Sequence, residues 1–64
     1  MNRLRAWRKR QEISQVAAGK RFKVTGVAVG RYEAGHRVPT KNVMIRIVAA
    51  TVGEVQPNDF FSTA

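Results

Sequence analysis

Residues 14–33 constrain this chain more than any other stretch. They read as two short helices joined tightly at Lys23-Val24-Thr25, each opened by a hydroxyl side chain. Ser14 is placed to accept an N–H from the first turn of a helix over about 15–22. Thr25 is placed to do the same for a helix over about 26–33. Ala17, Ala18 and Phe22 give the first helix its apolar face, and Val29 and Tyr32 are the inward candidates of the second. Gly19 falls on the inner side of the first helix, where glycine is less favourable than alanine by roughly 0.5–1 kcal/mol. Close approach of the following helix accounts for it, with Val24 and Val29 filling the crossing beside Phe22 and Tyr32. A generic helical hairpin with an incidental glycine is the alternative.

The flanking sequence extends this pattern. Asn2 suits the cap of a first helix running to about residue 11, with Leu4 and Trp7 on one apolar stripe and arginines and lysines around the rest. Gly35 can end the third helix in the left-handed conformation without a side-chain penalty. The run His36-Arg37-Val38-Pro39 is expected to be extended, because a residue before proline avoids the helical region. Thr40 then caps a fourth helix over about 41–52, whose buried face is Val43, Met44, Ile47, Val48 and Thr51, and which Gly53 closes. Residues 55–61 suit a short extended link and one helical turn, with Pro57 near its start. Nothing alternates over enough residues to make a sheet. The expected class is all-α, four helices and a short fifth, in one domain over 1–64.

Composition narrows the function. Sixty-four residues hold one small core. With no cysteine and one histidine, neither a disulfide framework nor a Cys/His zinc site is available, so lone His36 is not read as a metal ligand. The N-terminus lacks the apolar run of a secretory signal, and the apolar stretches around Arg46 are too short to span a bilayer. A cytoplasmic domain that makes no use of a membrane is expected. Twelve Lys/Arg against four Asp/Glu give a formal net charge of +8, which draws polyanions of any kind. Ser14 has no partner histidine and is explained by capping, and the four acids are scattered. No catalytic set, cofactor or small-molecule substrate is indicated.

Taken together, Ser14-Gln15, Gly19, Val24-Thr25, Val29, Arg31-Tyr32-Glu33, Gly35 and Pro39 resemble the helix-turn-helix family of lambda-type Cro and repressor proteins. Leu4, Trp7 and Arg8 ahead of this set, and the tail from Pro57 to Phe61 behind it, extend the likeness over nearly the whole chain. The resemblance implies a compact domain that places its third helix in the major groove of a double-stranded DNA operator. Ser14 and Gln15 then match the phosphate-contacting start of the second helix. Thr25, Gly26, Val27 and Arg31 match the exposed start and outer face of the recognition helix. Arg8 and Glu33 match a structural ion pair tying the first helix to the end of the third. His36, Arg37, Lys41 and Asn42 lie in or beside the following loop, well placed for phosphate, with an ordinary solvated loop as the alternative. Arg3, Arg5, Lys9 and Arg10 read as a solvated helix face, and Lys20 and Arg21 as sources of long-range attraction.

The chain departs from the family at three places. Lys23 holds the turn position usually given to glycine or asparagine, so it must take a positive φ or reshape the turn, while offering a phosphate contact. Glu12 replaces a glycine after the first helix. The reading face presents Gly26, Val27 and Gly30, which have no polar group for a base edge; valine can meet only a thymine methyl. Arg31 is left as the one strong reader, either on guanine, for about 1–3 kcal/mol of discrimination, or on phosphate. Backbone charge and groove shape should then supply more of the affinity than in a typical relative.

The leading expectation is a Cro-like repressor, forming a weak homodimer on DNA through an apolar patch of Val52, Val55, Phe60 and Phe61, with either phenylalanine equally able to join the core. An antitoxin that binds DNA and also neutralises a partner protein is the alternative. A cationic membrane peptide is a third, opposed by the Gly/Pro punctuation between helices.

Overall fold

The computed structural model describes residues 3–61, with side chains through residue 60. Five helices follow one another: α1 (Arg3–Arg10), α2 (Gln15–Phe22), α3 (Gly26–Ala34), α4 (Lys41–Ala50) and α5 (Asn58–Phe61). The described residues contain no strand. The cap expected at Asn2 lies outside the described residues.

Hydroxyl caps open the three central helices. The N–H of Ala17 donates to Ser14 Oγ at 3.1 Å, that of Ala28 to Thr25 Oγ1 at 3.1 Å, and that of Val43 to Thr40 Oγ1 at 3.4 Å. Each cap residue is extended, so the chain enters the helix from outside its axis.

The helix ends share one device. After α2, the N–H of Lys23 reaches the carbonyl of Lys20 and the N–H of Val24 that of Gly19, with Lys23 left-handed at φ 59°. After α3, Gly35 and His36 bond to Tyr32 and Arg31 in the same way, with Gly35 at φ 80°. Glu12 and Ile13 close α1 on Lys9 and Arg8, and Val52 and Gly53 close α4 on Ala49 and Val48. These paired bonds satisfy carbonyls that a helix end otherwise leaves open. Glycine opens only one of these four turns, at Gly35; Glu12 (φ 55°), Lys23 (φ 59°) and Val52 (φ 54°) take the first left-handed position in the others. The fourth helix is therefore shorter than the expected 41–52. It stops at Ala50, and the turn residue is Val52 rather than Gly53, although Gly53 is left-handed too at φ 79°.

The core draws on every long helix. Leu4 and Trp7 come from α1, Ala18 and Phe22 from α2, Val29 and Tyr32 from α3, and Val43 and Ile47 from α4. The Trp7 and Phe22 rings pack with centroids 5.8 Å apart. Val48, expected on the buried face of α4, is only half-buried, whereas Thr51 is buried. Thr51 Oγ1 donates to the Ile47 carbonyl at 2.8 Å and accepts from the Val55 N–H at 3.1 Å, so no buried polar atom is stranded there.

That last bond turns the tail inward. Val55 is fully buried, which corrects its expected place in a surface patch: the link after α4 delivers it into the core. Phe60 is half-buried and meets the Tyr32 ring edge-on at 6.4 Å. Val52 stays 91% exposed. The side chain of Phe61 lies outside the described residues.

Candidate nucleic-acid interface

Three glycines set how closely α2 and α3 meet. A Cβ placed on Gly19 would lie 2.6 Å from the Val24 carbonyl oxygen and 3.0 Å from that of Thr25. One on Gly26 would lie 2.8 Å from Val16 Cγ2 and 3.0 Å from the Val16 backbone. One on Gly30 would come within 3.2 Å of the Gln15 amide. The turn after α2 thus folds onto the middle of that helix, and the inner edge of α3 lies on the first turn of α2. Gly26 and Gly30, expected on the reading face, both sit half-buried on this inner edge. The outer edge carries Thr25, Val27 (67% exposed) and Arg31.

An ion pair anchors the far end of α3. Arg8 Nε donates to Glu33 Oε2 at 2.6 Å and Arg8 Nη2 to Oε1 at 3.1 Å, with the two side chains 13% and 5% exposed. The remaining terminal nitrogen, Nη1, donates to the Ile13 carbonyl at 3.0 Å. The hydrogen bond to Glu33, more than its charge, raises the Arg8 pKa above the ordinary arginine value against the opposing effect of burial. Gln15 Nε2 also reaches Glu33 Oε1, at 3.4 Å, so one carboxylate gathers α1, the start of α2 and the end of α3. A shallow cleft opens beside it, bordered by Arg5, Arg8, Gln15, Gly30 and Ala34.

The charges are sorted by these contacts. Besides Glu33, two more acids engage arginines of α1: Asp59 meets Arg3 at 3.2 Å, and Glu54 meets Arg10. Arg3 and Arg10 are therefore more than a solvated face, although exposed pairs of this kind contribute little stability. Asp59 also accepts the Gln56 N–H at 2.8 Å, fixing the turn into α5. Residues 13–32 contain no acid at all. Lys23, Arg31, Arg37 and Lys41 are exposed and form no ion pair among the described residues. His36 and Asn42 are exposed beside them, on the α3–α4 connection and the start of α4. Two other cations make contacts within the domain. Arg21 lies 5.9 Å over the Trp7 ring, and Arg46 donates to the Phe22 carbonyl at 3.4 Å.

Sequence reasoning passed over Val16. It is 58% exposed, at the second position of α2, against Gly26. Its only sequence signal is a valine where an exposed helix start favours polar residues.

A capped helix, a tight left-handed turn and a second capped helix with an open cationic face define a helix-turn-helix domain, the class that docks its second helix on duplex DNA. A family model described as a helix-turn-helix domain matches residues 2–52, and the chain belongs to that family. Comparison with curated proteins and with solved structures returns no match. No helix among the described residues is long and apolar enough to cross a membrane.

Proposed function

We propose that this chain is a small Cro-like transcriptional regulator that represses by occupying a double-stranded DNA operator. The observation that carries the reading is the glycine-lined seat of α3 on α2, which leaves Thr25, Val27 and Arg31 outward within a stretch, residues 13–32, that contains no acid. In this reading α3 enters the major groove, with Arg31 toward a guanine edge and Thr25 and Val27 at the groove floor. Ser14 and Gln15 present the N-terminus of α2 to a phosphate, helped by its unpaired N–H groups and dipole. Lys23, His36, Arg37, Lys41 and Asn42 follow the backbone on either side. The Arg8–Glu33 pair touches no DNA; it holds Gln15 and α3 in register.

Two copies would occupy half-sites about one helical turn apart, weakly associated through the exposed surface around Val52. Binding at the operator is the whole activity in this reading, in the cytoplasm and without cofactor or chemical step.

The test is selection of bound duplexes from a random pool, followed by titration at several salt concentrations. Recovery of a two-fold symmetric consensus, with affinity falling steeply as salt rises, supports the reading. Affinity that is equal for all sequences would leave a non-specific DNA binder and remove the operator from the account.

A further inference from the structure

Gly26 opens α3 without a side chain, yet the space beside it is filled. The Cγ2 methyl of Val16 lies 2.8 Å from where a Gly26 Cβ would be, so it occupies the place from which a side chain at the first position of α3 would emerge. Val16 is 58% exposed there, and Val27, next to Gly26 in the chain, is 67% exposed. Neither belongs to the core cluster, although Val16 packs against Gly26 where α3 begins. Two apolar side chains therefore flank the N-terminal end of the recognition helix, one from each helix of the motif.

We infer that Val16 is a specificity-determining residue, and that Val16 and Val27 together form an apolar surface reading the 5-methyl groups of thymines. This rests on the DNA-binding reading above and names what that surface selects. The major groove offers one apolar group, the thymine C5-methyl, and a surface with no donor or acceptor can distinguish bases there only through it. Cationic Lys23 and Arg31, exposed on the same two-helix unit, draw the duplex toward this surface. Val16 supplies the contact that the glycine at position 26 cannot, and α2 thereby takes part in base reading as well as phosphate binding.

The experiment uses duplexes recovered by selection, resynthesised with deoxyuridine in place of thymidine one position at a time. Uracil keeps the pairing edge and removes only the methyl. For the full chain, substitution at one or two neighbouring positions is expected to weaken binding about fourfold per methyl, from the loss of one buried carbon. Val16→Ala should bring the thymine-to-uracil ratio near one at one of these positions, and Val27→Ala at its neighbour. Ile45→Ala, an exposed apolar change on α4, should leave both ratios as they were. Equal affinity for thymine and uracil duplexes, or a selected consensus lacking thymine, overturns this inference while leaving DNA binding intact. A thymine preference that survives Val16→Ala removes Val16 from the reading surface. The wild-type comparison needs no variant to fold, and failure to bind any duplex overturns the DNA reading and this inference together.

Discussion

The carbonyl oxygen of Val24 stands where a methyl on Gly19 would collide with it, 2.6 Å from the ideal Cβ position. The obstacle is backbone, and the Val24 N–H is itself bonded to the Gly19 carbonyl at 2.8 Å, so neither side can yield by turning a side chain. The helix-turn-helix geometry is therefore set by the absence of one carbon atom.

Gly19→Ala should destabilise the domain by about 2 kcal/mol, because over-packing against backbone outweighs the better helix propensity of alanine. Chemical denaturation checks it through a lower midpoint at unchanged slope. A neutral or stabilising result would mean that the turn relaxes freely and that the crossing is not held at this point.

Glu33→Gln leaves the Arg8 guanidinium nearly enclosed without its counter-charge, and a loss of roughly 3 kcal/mol is expected. The sign of the pH effect follows from the raised Arg8 pKa. That contribution is fully present below the ordinary unfolded-state value and is lost only as pH rises through the higher folded one. Moving from about pH 7 to 9 should therefore leave the stability difference between wild type and Glu33→Gln unchanged. Denaturation at both pH values tests this, and a difference that shrinks over the range would show that another titrating group carries the effect.

Lys23→Gly should separate folding from binding. Glycine relieves a left-handed residue, for a gain of about 1 kcal/mol after its larger unfolded-state entropy is deducted. The lost cation should weaken binding to all duplexes alike and reduce the salt slope by about one. Higher melting temperature with unchanged salt dependence would remove Lys23 from the phosphate contacts. Val52→Gly, at the β-branched left-handed position after α4, should stabilise by a similar margin of about 1 kcal/mol.

Arg31→Ala should flatten the preference between selected and random duplexes by about 1–3 kcal/mol, while Lys41→Ala should weaken both equally. Competition binding at fixed salt distinguishes the two. A preference that survives Arg31→Ala would place that guanidinium on phosphate instead of guanine.

Much of the fold was legible in the chain because its signals are local. Ser14, Thr25 and Thr40 each cap a helix by reaching a backbone N–H three residues on, a distance the sequence itself specifies. Spacings of three and four placed Leu4, Trp7, Phe22, Val29, Tyr32 and Ile47 inside. Position 19 showed its glycine before the reason for it was visible.

Contacts between distant segments followed no such rule. Arg3–Asp59 and Arg10–Glu54 join the two ends of the domain, and no local pattern predicts which of several exposed charges will meet. Val55 looked like surface because nothing nearby in sequence covers it; the fold encloses it by wrapping the tail over the core. Gly26 and Gly30 looked like gaps in a reading face until α2 was seen lying against them. Sequence alone determined that the chain would be all-helical, cationic and interrupted at Lys23, since capping and periodicity act over one or two turns. Tertiary structure decided which charges are neutralised, which apolar residues are covered and which side chains stand outward, because those outcomes depend on helices that meet across the core.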